Sequence, residues 1–208
     1  KSGADDAMQF QNSWSKINVI MRDVPTAQVE QLKNKVMELP PALGTSKELT
    51  DALYQAISSG VSDPVQALAL VKSAAIAAGG GFTSVETALK SGAAVMNAYG
   101  IEAKDSGKIF DVMAKTVDLG VISFEELASG LGNVIPIAAA NKVSFQEVSA
   151  SIATLTLSGV PASQAITGIR STLDSLMKPS AQAQEAAAKL GIQWDANILQ
   201  TKGLAGTL

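Results

Sequence analysis

Apolar residues recur at steps of three and four along most of the chain. Phe145, Val148, Ile152 and Leu155 follow this spacing, as do Ile109, Met113 and the Thr116-Val117 pair, and Ile166, Ile169, Leu173 and Leu176. Such spacing lays one apolar stripe along a helix turning every 3.6 residues. It predicts helices over 4–22, 26–38, 47–58, 64–78, 84–98, 105–118, 123–140, 144–157, 162–177 and 180–189. The stretch from Val65 to Ala78 is apolar nearly all round, interrupted by Gln66, Lys72 and Ser73, which predicts the most buried helix of the set. No run shows the alternation of a strand. Asn133 to Ile137 comes nearest, and Pro136, beside Gly130 and Gly132, predicts a kink or break in the 123–140 helix.

Between the stripes a short phrase repeats: glycine, an apolar residue, then a small or capping residue. It stands at Gly60-Val61-Ser62, Gly81-Phe82-Thr83, Gly100-Ile101, Gly120-Val121-Ile122-Ser123 and Gly159-Val160-Pro161, at intervals of about 20 residues, with Lys142-Val143-Ser144 as a version lacking glycine. A glycine just past a helix takes the left-handed conformation without a Cβ clash, and the apolar residue after it folds back on the last turn. Gly60, Gly81, Gly100, Gly120 and Gly159 are therefore expected to stop helices, with positive φ at Gly60, Gly120 and Gly159. Starts are marked by Ser123 with Glu126 and Ser144 with Glu147, each a Ser-x-x-Glu capping box, and by Asp63 before Pro64.

Short helices and short turns predict an all-α fold with no sheet, a train of antiparallel helix hairpins whose interior is rich in Ala and Gly. Runs such as Ala74-Ala75, Ala93-Ala94 and Ala138-Ala139-Ala140 bury little area per residue, so modest stability is expected, with help from self-association or from the rest of a longer chain. The punctuation divides the chain into an N-terminal helical segment, 1–47, a helical-hairpin core, 48–178, and a C-terminal helical extension, 179–208.

Composition narrows the chemistry. The 208 residues contain neither Cys nor His, which removes disulfides, thiol nucleophiles, His-based acid–base catalysis and Cys/His metal sites. Only oxygen ligands remain, and the carboxylates are not clustered as a hard cation requires. A formal charge of -3, without a basic cluster, and 4% aromatics argue against a specific nucleic-acid partner. Gly107-Lys108 is followed by Ile109 where a phosphate loop needs Ser or Thr, and Gly79-Gly80-Gly81 follows a helix where a dinucleotide fingerprint follows a strand. Ser13-x-x-Lys16 and Ser175-x-x-Lys178 lack the partner motifs of a serine acylase. Glu48, Asp51, Glu125 and Glu126 fall in first helical turns, where the helix dipole accounts for them. No catalytic, cofactor-binding or metal residue is assigned, and no cofactor or enzymatic activity is expected. The most apolar stretch, Val65 to Phe82, holds Lys72 and ends in three glycines, which suits a core helix better than a bilayer span. A membrane-inserting or pore-forming domain built on an apolar 65–95 hairpin is the alternative. The opening residues lack the apolar core of a signal peptide, and a first residue other than Met and an end without a stop signal read as a piece of a longer protein.

An ordered set of phrases carries a resemblance. Residues 48–61 (ELTDALYQAISSGV), 74–80 (AAIAAGG), 83–88 (TSVETA), 95–100 (VMNAYG), 116–121 (TVDLGV), 124–132 (FEELASGLG), 135–139 (IPIAA), 143–148 (VSFQEV), 159–165 (GVPASQA), 177–180 (MKPS) and 190–192 (LGI) resemble, in order, the core region of phage tail tape measure proteins. The likeness runs from about Phe10 to the end and is looser over 1–47. It implies a virion structural protein that occupies the tail tube, templates tail length in assembly and leaves ahead of the genome at ejection. The family's core has no catalytic residues to transfer. Implied partners are the tail tube protein, tail tip or baseplate hub proteins, tail assembly chaperones and further copies of the chain, with membrane contact at infection. The implied location is the virion tail, after assembly in the host cytoplasm. A ruler is easiest to picture as one continuous helix, about 310 Å long for this length. The recurring stops and Pro64, Pro136, Pro161 and Pro179 predict a folded module instead, with the ruler mainly in other parts of the protein.

Overall fold

The helices begin where a short polar side chain can accept a backbone N–H. In a computed structural model, which describes residues 3–79, 83–192 and 194–207, Thr45, Asp63, Ser84, Ser123, Ser144 and Ser180 each accept from the amide three residues on. Each such bond satisfies one of the amides a helix start leaves without an internal partner. The resulting elements are α1 (Gly3–Ile20), α2 (Thr26–Met37), α3 (Ser46–Ser58), α4 (Pro64–Ala78), α5 (Val85–Tyr99), α6 (Ser106–Leu119), α7 (Phe124–Ala140), α8 (Phe145–Leu157), α9 (Ala162–Met177), α10 (Ala181–Lys189) and α11 (Asn197–Lys202), with 3-10 turns at Pro41–Leu43 and Ala103–Asp105. Among the described residues there is no strand, and the protein is all-α. The 3-10 turns and α11 are too short to show a period, and the sequence gives no sign of them.

The chain divides into two compact units, one ending at Asp111 and one beginning at Val112, so the division falls within α6. In the first, α4 packs against α2, α3, α5 and both 3-10 turns, and α3 packs against α1 and α5 as well. Ile17, Leu49, Leu53, Leu70 and Leu89 are fully buried there. Gly92 permits one close approach: a Cβ at that position would lie 2.7 Å from Cζ of Phe110, so the ring occupies the space a side chain would need. In the second unit α9 packs against α7 and α8, around Leu127, Leu131, Ile135, Ile152 and Ile169. Gly130 plays the part of Gly92, since a Cβ there would run into Cδ1 of Ile166.

Three expectations are corrected. Packing is not confined to chain neighbours, because α1 lies on α3, α3 on α5 and α7 on α9. A train of hairpins describes the chain order and misses this skipping of one helix. Second, α4 is not the most buried helix. Six of its fifteen residues are buried against seven of thirteen in α8, and Val65 and Ile76 are 65% and 59% exposed. An apolar helix buries only the faces its neighbours cover. Third, Pro136 does not break α7, which continues from Phe124 to Ala140. The missing bond is the one to the Gly132 carbonyl, and both residues lie on the exposed side of the helix, where water can take its place.

Candidate functional site

The residues singled out in the sequence gather at the turns. Gly60, Gly100 and Gly159 have φ of 103°, 65° and 92°. After each, the next amide reaches five residues back: Val61 N–H donates to Ala56 O at 3.2 Å, Ile101 to Met96 O at 3.0 Å and Val160 to Leu155 O at 3.0 Å. These are Schellman closures, which satisfy the carbonyls a helix end leaves open. Lys142 closes α7 the same way, with φ of 59° and the Val143 amide on Ala138 O at 2.9 Å. It occupies the glycine position of the phrase and takes the glycine conformation at a steric cost. Gly191 and Ile192 repeat the closure after α10, with φ of 70° and an Ile192 to Ala187 bond of 2.9 Å. Gly81 lies outside the described residues.

Gly120 departs from the expectation of positive φ, since it is absent from the glycines in that region. Its amide continues the helical pattern, donating to Thr116 O at 2.9 Å. What demands glycine here is proximity: a Cβ would lie 2.7 Å from Thr156 Oγ1 and 2.9 Å from Ala153 Cα. The end of α6 thus rests directly on the last turns of α8, and the Val121 amide donates to Thr156 Oγ1 at 3.1 Å.

The capping boxes are closed on both sides. The Ser123 amide and hydroxyl donate to Glu126 Oε2 at 2.9 and 2.7 Å, and the Glu126 amide returns a bond to Ser123 Oγ at 3.2 Å. Ser144 donates to Glu147 Oε2 at 3.0 and 2.8 Å, with the return bond at 3.2 Å. Thr45 and Glu48 form a third box, which the sequence reading noted only as an acid in a first turn. The bonds from Ser123 hold Glu126 below the usual carboxylate range, hydroxyl first and amide second. Glu147 is lowered first by the Ser144 amide and then by its hydroxyl, and Glu48 likewise by the amide and hydroxyl of Thr45.

One further carboxylate joins two helices. Asp51 on α3 accepts from Ser13 Oγ of α1 at 2.7 Å and from Lys47 Nζ at 2.6 Å. Partial burial pushes its pKa up, and the bonds from Lys47 and Ser13 outweigh that and leave it below the usual range. These displacements are those of carboxylates held ionised as structural acceptors. A general acid at neutral pH requires the opposite shift. A groove of the first unit, about 1010 Å³, runs between α1 and α2 onto the start of α3 and is lined by Phe10, Glu30, Lys33, Met37 and Glu48 among others. Glu48, on its lining, is engaged in the cap of α3. Among the described residues no three Asp or Glu side chains come together as a metal site, and no helix is long and apolar enough to cross a membrane.

Helices built from caps and close approaches define a helical scaffold. Comparison with known proteins identifies the class: the family model for phage-related minor tail proteins matches residues 33–208, and the chain belongs to that family of phage tail structural proteins. A protein of Clostridium phage phiCD119 described as a "Probable tape measure protein" is 33% identical over 155 residues, 73% of this chain and 16% of that protein. The "Tape measure protein" of Pneumococcus phage Dp-1 is 26% identical over 193 residues, 91% of this chain and 16% of that protein. The chain thus spans about a sixth of the length of these relatives. No solved structure matches it. The membrane-inserting alternative finds no support in these relatives.

Proposed function

We propose that the chain is a folded helical module of a tape measure protein, carried inside the tail tube of a virion, assembled in the host cytoplasm and released ahead of the genome at ejection. The observation that carries the reading is the family match over 33–208 together with tape measure relatives aligned over most of this chain. Length templating belongs to the whole protein, and this module contributes a globular element to it. Its part is structural and without catalysis, a reading supported by Glu48, Glu126 and Glu147 serving as caps and Asp51 as a clasp between two helices. The partners are the tail tube protein, tail tip or baseplate hub proteins, assembly chaperones and further copies of the chain. Cross-linking of intact virions followed by mass spectrometry tests this. Cross-links from this region to the tube protein are expected, and cross-links confined to capsid or other non-tail proteins overturn the reading.

A further inference from the structure

An apolar residue just past a helix stop folds back onto the helix, and Val61 and Val143 do so and are buried. Val121 does not. Because Gly120 stays in the helical pattern and rests on α8, no Schellman closure turns the chain back, and Val121 is left 68% exposed. The same contact brings the end of α8 alongside, since the Val121 amide donates to Thr156 Oγ1, and Leu157, the next residue, is 68% exposed as well. Leu119, on the other side of Gly120, is 56% exposed. Single apolar side chains in water are ordinary, but three large ones gathered round one contact form a patch of the kind that meets another surface.

The charges at its edge select the surface it meets. Lys115 and Asp118 are both exposed on the last turns of α6, with Nζ and Oδ2 4.0 Å apart, at the limit of an ion pair. Ala150 and Thr154 on the outer side of α8, and Ser158 after it, are uncharged. One cation and one anion beside an apolar patch complement themselves: across a twofold axis Lys115 of one copy faces Asp118 of the other, and Asp118 faces Lys115. A partner carrying charge of one sign would leave one of the two facing its like. We propose that these ends of α6 and α8 form a twofold contact between two copies of the chain, with Leu119, Val121 and Leu157 at its centre and the Lys115–Asp118 pairs exchanged around them. Three side chains per copy fall short of the roughly 800 Å² per partner that a stable complex buries, so the contact is weak and reversible and forms where copies are concentrated. It deepens the reading above, from which it takes only that copies of the chain meet, and its failure in solution leaves the tail location to the virion cross-links.

Sedimentation equilibrium of the whole chain at low ionic strength, where exposed charge pairs count most, tests the contact. The parent is expected to form dimers with a dissociation constant on the order of 0.1 mM, as suits a small interface. Lys115→Glu and Asp118→Lys each set like charges against one another twice across the axis, and each is expected to dimerise about tenfold more weakly. Leu157→Ser takes apolar area from both copies and is expected to weaken dimers about tenfold as well. An equimolar mixture of Lys115→Glu and Asp118→Lys sets every charge opposite its complement and is expected to dimerise at least as well as the parent, a recovery that misfolded variants could not give. A parent that stays monomeric up to about 1 mM, or assembles beyond a dimer, overturns the proposal. If that monomer sediments with vesicles of phosphatidylglycerol and phosphatidylcholine and Leu157→Ser does not, the patch is a membrane contact instead. Dimers indifferent to Leu157→Ser or to the charge variants, or not restored by mixing, overturn it too.

Discussion

Thr156 Oγ1 stands where Gly120 would carry its side chain, 2.7 Å from the position of a Cβ, with Ala153 Cα at 2.9 Å on the same side. The backbone of one helix end is therefore set directly on another helix, and the hydroxyl that fills the gap also receives the Val121 amide. Neither neighbour can yield easily: Ala153 offers backbone, and Thr156 is held by bonds to Ile152 O and Ala153 O at 2.9 and 3.1 Å. Gly120→Ala is expected to destabilise by about 2 kcal/mol through overpacking. Gly60→Ala, with open space around it but φ of 103°, is expected to cost about 1 kcal/mol through backbone strain. Thr156→Ala added to each variant separates the causes in a urea titration. It should relieve part of the first loss and none of the second, and a Gly120→Ala variant as stable as its parent would contradict the crowding.

Lys142 invites the reverse experiment. It adopts φ of 59° at the end of α7, where the other closures have glycine, and its side chain is exposed. Lys142→Gly removes the Cβ clash of the left-handed conformation without removing a buried group. The added freedom of the unfolded chain offsets part of that gain. A net stabilisation of about 0.5 kcal/mol is expected, seen as a higher urea midpoint with an unchanged slope. A lower midpoint would mean that the lysine makes a favourable interaction outweighing its strain.

The capping carboxylates set a pH dependence whose sign is fixed. Glu48, Glu126 and Glu147 have folded pKa values below the ordinary 4.5, so between the folded and unfolded values the unfolded chain binds more protons. Their contribution is fully present above pH 4.5 and is lost as pH falls through the folded values. Thermal melts from about pH 6 down to pH 3 should show the midpoint falling in that window. Replacing all three with Gln keeps an acceptor in each box and removes their titration, so the fall should become shallower, with Asp51 and Asp105 among the groups supplying what remains. An equally steep fall in the triple variant would place the acid sensitivity elsewhere.

What was legible in the sequence was local. The start of α8 could be read at Ser144 because cap, box and apolar stripe all lie within a few residues, and Asp63 before Pro64 marked α4 for the same reason. What was illegible depends on distant partners. Gly92 and Gly130 look like ordinary helix interruptions until Phe110 and Ile166 are seen lying over them. Gly120 carries the same phrase as Gly60 for a different reason, and no pattern around residue 120 reveals Ala153 and Thr156. Val65 and Ile76 read as core because hydropathy reports what a face could bury, whereas the neighbouring helices decide what it does bury. Lys142 did carry a signal, since it stands where the repeating phrase has glycine, yet its left-handed conformation was not expected from it.

The last prediction separates a folded module from a ruler. Among the described residues the longest helix is α1, at 18 residues, and every helix is closed before the next begins. In the second unit α7 and α8 both pack on α9, and Ile166 of α9 lies over Gly130 of α7. Deleting 123–160 in frame, from the phage protein that carries this region, removes both partners of α9 and strands Ile166 and Ile169 in water. The unit should then fail to fold, and assembly or infectivity should fall sharply. As a continuous helix the 38 deleted residues would span about 57 Å, which is the shortening a ruler would give. Tails that do form should instead keep their parental length in electron micrographs. Infectious particles shortened by about 57 Å would make this segment part of the ruler itself. Fully infectious particles of parental length would make the module dispensable, and either result would overturn the structural role proposed for it.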